Sequence, residues 1–150
     1  MAQELILDKL PPQNLDAEMA VLGSMLLDEE AVSVAVEKLD AGCFYKDTHR
    51  KIFQTISDLY NSNKAVDLIT LADALRKDNS LDDIGGASYL TSLANAVPTA
   101  ANINHYAGIV REKYILRTLI NNSTKIITVC HESEGNIALF FRNQTACPDL

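Results

Sequence analysis

Basic residues are in short supply in this 150-residue sequence, which has 13 lysines and arginines against 20 aspartates and glutamates, a net charge of −7. A surface of this sign repels the phosphates of nucleic acids and anionic lipids, so the charge argues against direct binding to DNA, RNA or a membrane surface. Long hydrophobic runs are also absent, and no stretch approaches the roughly 18 apolar residues of a membrane span. The first residues lack the basic segment and apolar core of a signal peptide, so we expect a cytoplasmic protein.

The motifs of common enzyme classes are missing as well. The sequence contains no phosphate loop of the GxxxxGKS or GxxxxGKT type, and no GxSxG, HExxH or GxGxxG motif. Cys43, Cys130 and Cys147 lie far apart without a CxxC spacing, so we interpret them as reduced thiols that fill the core or lie on the surface. The histidines have no partner at the spacing of metal ligands. We therefore predict no catalytic residue, no metal and no cofactor in this chain, and we interpret its carboxylates as solvated surface.

Proline and glycine are scarce, with four and six residues, and the alternation typical of β-strands is absent. Apolar residues recur instead at helical spacing, which predicts an all-α fold. Asn14 follows two prolines and is expected to cap a first helix. The inward stripe of that helix is predicted to be Leu15, Met19, Leu22 and Leu26. Small residues around Gly23 predict that another helix approaches it closely.

The same combination of a capping residue and an apolar stripe predicts the helices further along the chain. A second helix is expected to begin near Asp28, and Asp47 and Asp67 are expected to cap a third and a fourth. The third has the clearest stripe, which comprises Ile52, Phe53, Ile56, Leu59 and Tyr60. A fifth helix follows the turn at Gly85-Gly86. These elements predict a compact bundle of about six short helices.

A much longer helix is expected after the bundle, because no helix breaker occurs between Ala100 and Gly135. Its later part carries apolar or small residues in a heptad-like seam that needs a partner helix. The seam consists of Leu116, Leu119, Ile120, Ser123, Ile126, Ile127 and Cys130. The chain is expected to fold back through Glu132-Ser-Glu-Gly-Asn, so that the long helix becomes one side of a helical hairpin. The hairpin is truncated if the last residues do not form its second helix.

The charge changes along the chain in step with this pattern. Residues 1–110 carry 8 basic and 16 acidic groups, whereas residues 111–150 carry 5 and 4. We therefore divide the chain into an N-terminal extension (1–13), an acidic helical head (14–110) and a helical arm or hairpin (111–150) with an atypical tail (136–150).

Five residues of the seam are the candidates for self-association. They are Leu116, Leu119, Ile120, Ile126 and Ile127. The equal alternative is that they pack against the chain's own returning helix, because a seam does not specify which helix fills it.

Seven segments, in chain order, point to one known family. They are Pro11-Pro-Gln-Asn-Leu-Asp-Ala-Glu-Met-Ala-Val-Leu-Gly-Ser-Met-Leu-Leu-Asp, Phe44-Tyr45, His49-Arg50-Lys-Ile-Phe, Val66-Asp-Leu-Ile-Thr-Leu, Gly85-Gly-Ala-Ser-Tyr-Leu, Pro98-Thr-Ala-Ala-Asn-Ile and His105-Tyr-Ala-Gly-Ile-Val-Arg-Glu-Lys. In this order they resemble the N-terminal domain of DnaB-type replicative DNA helicases. The resemblance covers about residues 10–131 and fails beyond Gly135.

The resemblance implies a non-catalytic head and hairpin that work as an interaction module in DNA replication. In the family the hairpins pair between subunits, and six such domains form a collar on a ring-shaped, ATP-dependent helicase of a bacterial or phage replisome. The collar docks the C-terminal domain of DnaG-type primase, and loader proteins act nearby. The ATP site and most DNA contacts belong to a RecA-like domain that is not recognisable here. The implied partners are therefore another copy of this chain (a dimer, or a hexamer in the full-length parent), primase and a loader.

Two other functions remain open from the sequence. The helicase-binding C-terminal domain of a DnaG-type primase has a similar helical head and arm, although the Pro-Pro-x-Asn opening near the start of the chain favours the helicase. A small all-α enzyme that uses Asp and Glu side chains in a helical cleft is a more distant alternative, because the spacing of the carboxylates does not predict a convergent site.

Overall fold

Six α-helices and one turn of 3₁₀ helix make up the part of the chain that the structure, a computed structural model, describes, residues 9–132. In order they are α1 (Leu15–Leu27), α2 (Glu29–Lys38), the 3₁₀ turn (Ala41–Cys43), α3 (Asp47–Asn61), α4 (Leu68–Lys77), α5 (Gly86–Ala94) and α6 (Ile103–Glu132). No strand occurs within these residues, and the all-α prediction is confirmed. The first eight residues, the predicted second helix of the hairpin, the tail 136–150 and Cys147 lie outside the described range.

The chain divides into two units between Ile115 and Leu116. The first unit contains α1 to α5 and the first part of α6, and the rest of α6 belongs to the second unit. At 30 residues α6 is the long helix that the sequence predicts. No helix within residues 9–132 has the combination of length and hydrophobicity that crossing a bilayer requires.

Side-chain caps start three of the helices. The side chain of Asn14 accepts a hydrogen bond from the backbone N–H of Ala17 at 2.9 Å, and that of Asp28 accepts one from Glu30 at 3.0 Å. Asp67 forms a capping box with Thr70, in which each side chain binds the other residue's backbone N–H. The caps predicted at Asn14 and Asp67 are therefore confirmed.

The cap predicted at Asp47 is wrong. The residue at the cap position of α3 is Lys46, which makes no side-chain capping bond, and Asp47 is the first residue of the helix itself. Its carboxylate accepts a hydrogen bond from Arg50 one turn later, at 3.1 Å. The acceptor for the backbone N–H groups in front of α3 comes instead from a distant residue, Glu18, which local sequence spacing does not reveal.

Helices α3 and α4 end in the same way. Each is followed by an asparagine in the left-handed region, Asn63 with φ of 57° and Asn79 with φ of 56°. The next backbone N–H then reaches back five residues, from Lys64 to the carbonyl of Leu59 and from Ser80 to that of Leu75. This arrangement satisfies carbonyls that the end of a helix leaves open, and asparagine adopts it at less cost than most residues.

The core of the first unit lies between α1 to α5 and the start of α6, and α2 contributes Ala31, Val32 and Ala35. The predicted stripe of α3 is confirmed, since Ile52, Phe53, Ile56 and Leu59 are buried and Tyr60 is half-buried. Phe44 is fully buried, and its ring centroid lies 4.9 Å from that of Phe53. The other elements contribute buried apolar residues that include Leu71, Leu75, Leu90, Leu93, Ile103, Ala107 and Val110.

The inward stripe predicted for α1 is only partly right. Leu22 is fully buried, but Leu15 exposes 38% of its surface, and Met19 and Leu26 are half-buried. The buried residues of this helix run without interruption from 20 to 25. Helix α1 contacts α2, α3 and α5, so its buried surface extends around most of the helix and does not follow one stripe.

Gly23 confirms the predicted close approach of another helix to α1. A Cβ atom built on this glycine would lie 2.3 Å from the carbonyl oxygen of Leu93 in α5 and 3.5 Å from Cγ2 of Val97. The first distance is too short for any real contact, and the obstructing atom is backbone, which cannot rotate away. Glycine is therefore required here by packing, despite its low helix propensity.

We expect Gly23→Ala to lower the free energy of unfolding by about 1–3 kcal/mol, because the new methyl group forces α1 and α5 apart. Gly108→Ala is the matched control, since a Cβ at this exposed position in α6 would meet nothing within 4 Å. The control is expected to gain up to about 1 kcal/mol from helix propensity. Urea-induced unfolding followed by circular dichroism measures both, and equal effects of the two substitutions would contradict the packing explanation.

Candidate functional site

The second half of α6 carries the five residues that the sequence predicts for self-association. At roughly 100° per residue, positions 116, 119, 120, 126 and 127 fall within about one third of the helix circumference. Ser123 and Cys130 lie on the same face. These seven residues form a continuous, mostly apolar strip, which we call the α6 seam.

Four of the five large apolar residues of the α6 seam are exposed. Leu116, Leu119 and Ile120 are exposed, and Ile127 exposes 58% of its surface, while Ile126 is half-buried. One large apolar residue on a surface is ordinary, but a row of five on one helix face indicates a surface that another element covers. The structure thus brings the five predicted residues together on one face, and the identity of the covering element remains a prediction.

A second feature, inside the first unit, was not predicted. Glu18 of α1 is 1% exposed, and its carboxylate accepts hydrogen bonds from the segment that precedes α3. The backbone N–H of Tyr45 donates to Oε2 at 2.7 Å, and that of Lys46 donates to Oε1 at 3.4 Å. Nδ1 of His49 lies 2.8 Å from Oε1. A buried carboxylate is stable only when it is bonded in this way.

His49 extends this buried network to a third helix. Its side chain is as deeply buried as that of Glu18, and its Nε2 lies 2.6 Å from the hydroxyl of Tyr89 in α5. Tyr89 is half-buried, and the ammonium group of Lys46 lies 5.1 Å from the centre of its ring. The network therefore joins α1, α3 and α5 through three polar side chains.

The interpretation of the carboxylates as solvated surface is thus wrong for Glu18, and His49 has an acidic neighbour after all. The two residues are 31 positions apart, so no motif spacing reports their contact. One local signal was available. Glu18 precedes the buried residues Val21 and Leu22 by three and four positions, which places it on the same face of α1.

Charges elsewhere on the first unit act locally. The ammonium group of Lys51 bonds to Asp78 and holds the pKa of that exposed carboxyl below its usual value. The backbone N–H of Thr70 likewise lowers the pKa of Asp67. Burial raises the pKa of the Cys43 thiol, which keeps it in the protonated form. The three pKa shifts are therefore explained by an ion pair, a helix cap and burial in the core.

The described residues offer little for small-molecule chemistry. Residues 9–132 contain no group of three or more His, Cys, Asp or Glu side chains placed to hold a metal ion. Two surface cavities, of about 370 and 410 Å³, share Lys64, and the first is lined by residues along α3 and α4. Each is lined by both acidic and basic side chains. We therefore take the extended α6 seam as the candidate functional surface.

Comparison with known proteins shows similarity to one family. Residues 10–112 match the family described as the DnaB-like helicase N-terminal domain. The replicative DNA helicase DnaC of Bacillus subtilis (strain 168) is 47% identical over 123 residues, which cover 82% of this chain and 27% of the relative. The chain thus spans about a quarter of the length of that helicase.

Two solved structures have the same fold. The crystal structure of the N-terminal domain of DnaB helicase from Mycobacterium tuberculosis superposes with a TM-score of 0.86 at 40% identity, and the match covers 91% of this chain and 96% of that one. A DnaB-like replicative helicase, described together with its interactions with primase, superposes with a TM-score of 0.70 at 25% identity. That match covers 87% of this chain and 35% of the helicase.

We expect Glu18→Ala to lower the free energy of unfolding by about 3 kcal/mol, because it leaves two backbone N–H groups and Nδ1 of His49 buried without an acceptor. Asp16→Ala removes an exposed carboxylate from the same turn of α1 and is expected to cost no more than about 1 kcal/mol. Urea-induced unfolding at neutral pH compares them. A loss for Glu18→Ala as small as that of the control would show that the network contributes little to stability.

Proposed function

The chain belongs to the DnaB-like helicase N-terminal domain family, and on this basis we propose that it is the non-catalytic collar domain of a cytoplasmic replicative DNA helicase, which self-associates and docks primase during DNA replication. The ATP-driven unwinding reaction would then belong to another part of the full-length parent. The short coverage of the relatives supports this division, since the chain corresponds to 27% of the Bacillus subtilis helicase.

Self-association through the α6 seam is the first element of the proposal, and the exposed apolar row is the observation that carries it. Fully burying a leucine or isoleucine contributes roughly 1.5–3 kcal/mol. Covering the exposed half of five such side chains from each of two copies would contribute on the order of 10 kcal/mol. Association costs roughly 4–15 kcal/mol in lost freedom of motion. The free energy gained by covering the seam is of similar size, so the seam is just large enough to sustain a dimer.

Docking of primase is the second element. The acidic balance of residues 1–110 is unsuited to the phosphates of DNA, which favours protein partners for the head. The DnaB-like helicase that superposes with a TM-score of 0.70 is described with its interactions with primase, and we propose the same class of partner for this chain. A loader protein is a further proposed partner.

Of the alternative functions, the helicase-binding domain of a primase is less well supported. The family that the chain matches and the relative at 47% identity are both helicases by description. For the seam, the alternative occupant is the chain's own segment after residue 132, and it is distinguished from a second copy by experiment.

We expect Leu119→Asp and Ile126→Asp to reduce the oligomer mass of the purified chain, because each places a charge in the interface that the seam would form. Multi-angle light scattering measures the mass, and circular dichroism checks that the helical content of the chain is retained. Ile69→Asp is the matched control, since Ile69 is an isoleucine of α4 that is 81% exposed and lies outside the seam.

Three outcomes separate the possibilities. A loss of mass in the two seam variants alone supports pairing between copies. An oligomer mass that none of the three substitutions changes contradicts it. A wild-type monomer whose seam variants lose helical content and stability shows that the seam is covered within one chain.

Mixing the chain with the C-terminal domain of a DnaG-type primase from the same source tests the second element. We expect a complex whose mass, measured by light scattering after size-exclusion chromatography at micromolar concentrations, equals the sum of its components. A primase zinc-binding domain serves as the control partner. Separate elution of the chain and the primase C-terminal domain at these concentrations would contradict the docking proposal.

A further inference from the structure

The buried network of Glu18, His49 and Tyr89 has no role in the proposed self-association through the α6 seam or in the proposed docking of primase. These residues lie on α1, α3 and α5, and the first two are almost completely enclosed. Buried polar groups are costly unless each donor meets an acceptor. The positions of the hydrogen atoms in this network are therefore restricted. They can be deduced from the backbone N–H groups, which can only act as donors.

The direction of the hydrogen bonds follows from the two backbone groups. The N–H groups of Tyr45 and Lys46 can only donate, so both oxygens of the Glu18 carboxylate act as acceptors. The 2.8 Å contact with Nδ1 of His49 is then a bond in which Nδ1–H donates to Oε1. When the imidazole is in its neutral form, Nε2 then carries no proton and accepts the hydroxyl proton of Tyr89, whose oxygen lies 2.6 Å away.

The two ends of this series of bonds lie close to irregular backbone. Tyr89 is in the first turn of α5, which begins at Gly86, and the φ angles of Gly85 and Gly86 are 108° and 75°. A Cβ on Gly85 would lie 2.9 Å from Cβ of Tyr89, so the turn fits closely around this side chain. At the other end, Tyr45 and Lys46 precede α3, which has no side-chain cap of its own.

We propose that Glu18, His49 and Tyr89 form a directional hydrogen-bond relay that fixes the tautomer of His49 and couples opening of the first turn of α5 to opening of residues 45–46. Lys46 strengthens the coupling, because its backbone N–H bonds to Glu18 while its ammonium group lies over the ring of Tyr89. A partner that displaces Tyr89 would loosen the start of α3, and the reverse effect must hold as well.

The tautomer is tested by nitrogen-15 NMR of the imidazole of His49. We expect the wild-type chain to carry the proton on Nδ1 and Glu18→Gln to carry it on Nε2. With the glutamine oxygen in the place of Oε2, where it accepts from Tyr45, the NH₂ group takes the place of Oε1, faces Nδ1 and requires an acceptor there. An Nε2 proton in the wild-type chain would overturn the assigned direction.

The coupling is tested by amide hydrogen exchange in Tyr89→Phe, which removes one hydroxyl from a half-buried ring and leaves the core unchanged. We expect the amides of Tyr45 and Lys46, on a different element, to exchange about three- to tenfold faster, the effect of one hydrogen bond. Tyr60→Phe is the matched control, because Tyr60 is also half-buried and its hydroxyl makes no hydrogen bond to residues 9–132.

The exchange experiment decides the proposal even if Glu18→Gln does not fold. Faster exchange at Tyr45 and Lys46 in Tyr89→Phe, without a change in Tyr60→Phe, supports the relay. Faster exchange confined to α5, or the same change in both variants, overturns it and leaves the three side chains as packing neighbours only.

Discussion

The arrangement of the head depends on one buried negative charge. The carboxylate of Glu18 lies in an apolar bundle and is stable only because two backbone N–H groups and an imidazole surround it. The backbone donors come from the two residues in front of α3 and the imidazole from its first turn, so the requirement constrains how α1 and α3 meet. His49 passes the same constraint to α5 through Tyr89. Hydrophobic burial supplies most of the driving force for such a bundle, but it is not directional, whereas this set of hydrogen bonds permits one relative placement.

The helices themselves were largely predictable from the sequence, because helix starts and apolar spacing are local properties. Asn14 and Asp67 cap the helices that they were expected to cap, and the stripe of α3 is buried as its spacing indicates. The errors occur where a distant residue replaces a local one. Asp47 was expected to cap α3, but Glu18 bonds to the backbone in front of that helix, and a contact across 28 positions leaves no mark in short-range spacing. The stripe of α1 is only partly right for a related reason, since three other helices contact α1.

The candidate site was likewise predictable only where it depends on local helical geometry. The five seam residues share one helix, so their common face follows from helical geometry alone, and the structure places them together. What covers that face depends on contacts beyond one helix, which neither the pattern nor residues 9–132 specify. The buried network was missed entirely, because its three members are drawn from three helices. One feature is a set of directional hydrogen bonds inside the first unit, the other is an exposed apolar helix face, and self-association through that face is a proposal.

The glycine in the middle of α1 has a consequence for how the domain reaches its folded state. Short helices are marginal in water, and glycine lowers their intrinsic stability further, yet position 23 does not admit a better helix former because the backbone of Leu93 is too close. The helix at the centre of the head is therefore poorly suited to form by itself. We expect α1 to acquire its structure late, on a surface that the other helices have already assembled, so that the central element is a product of folding and not its nucleus.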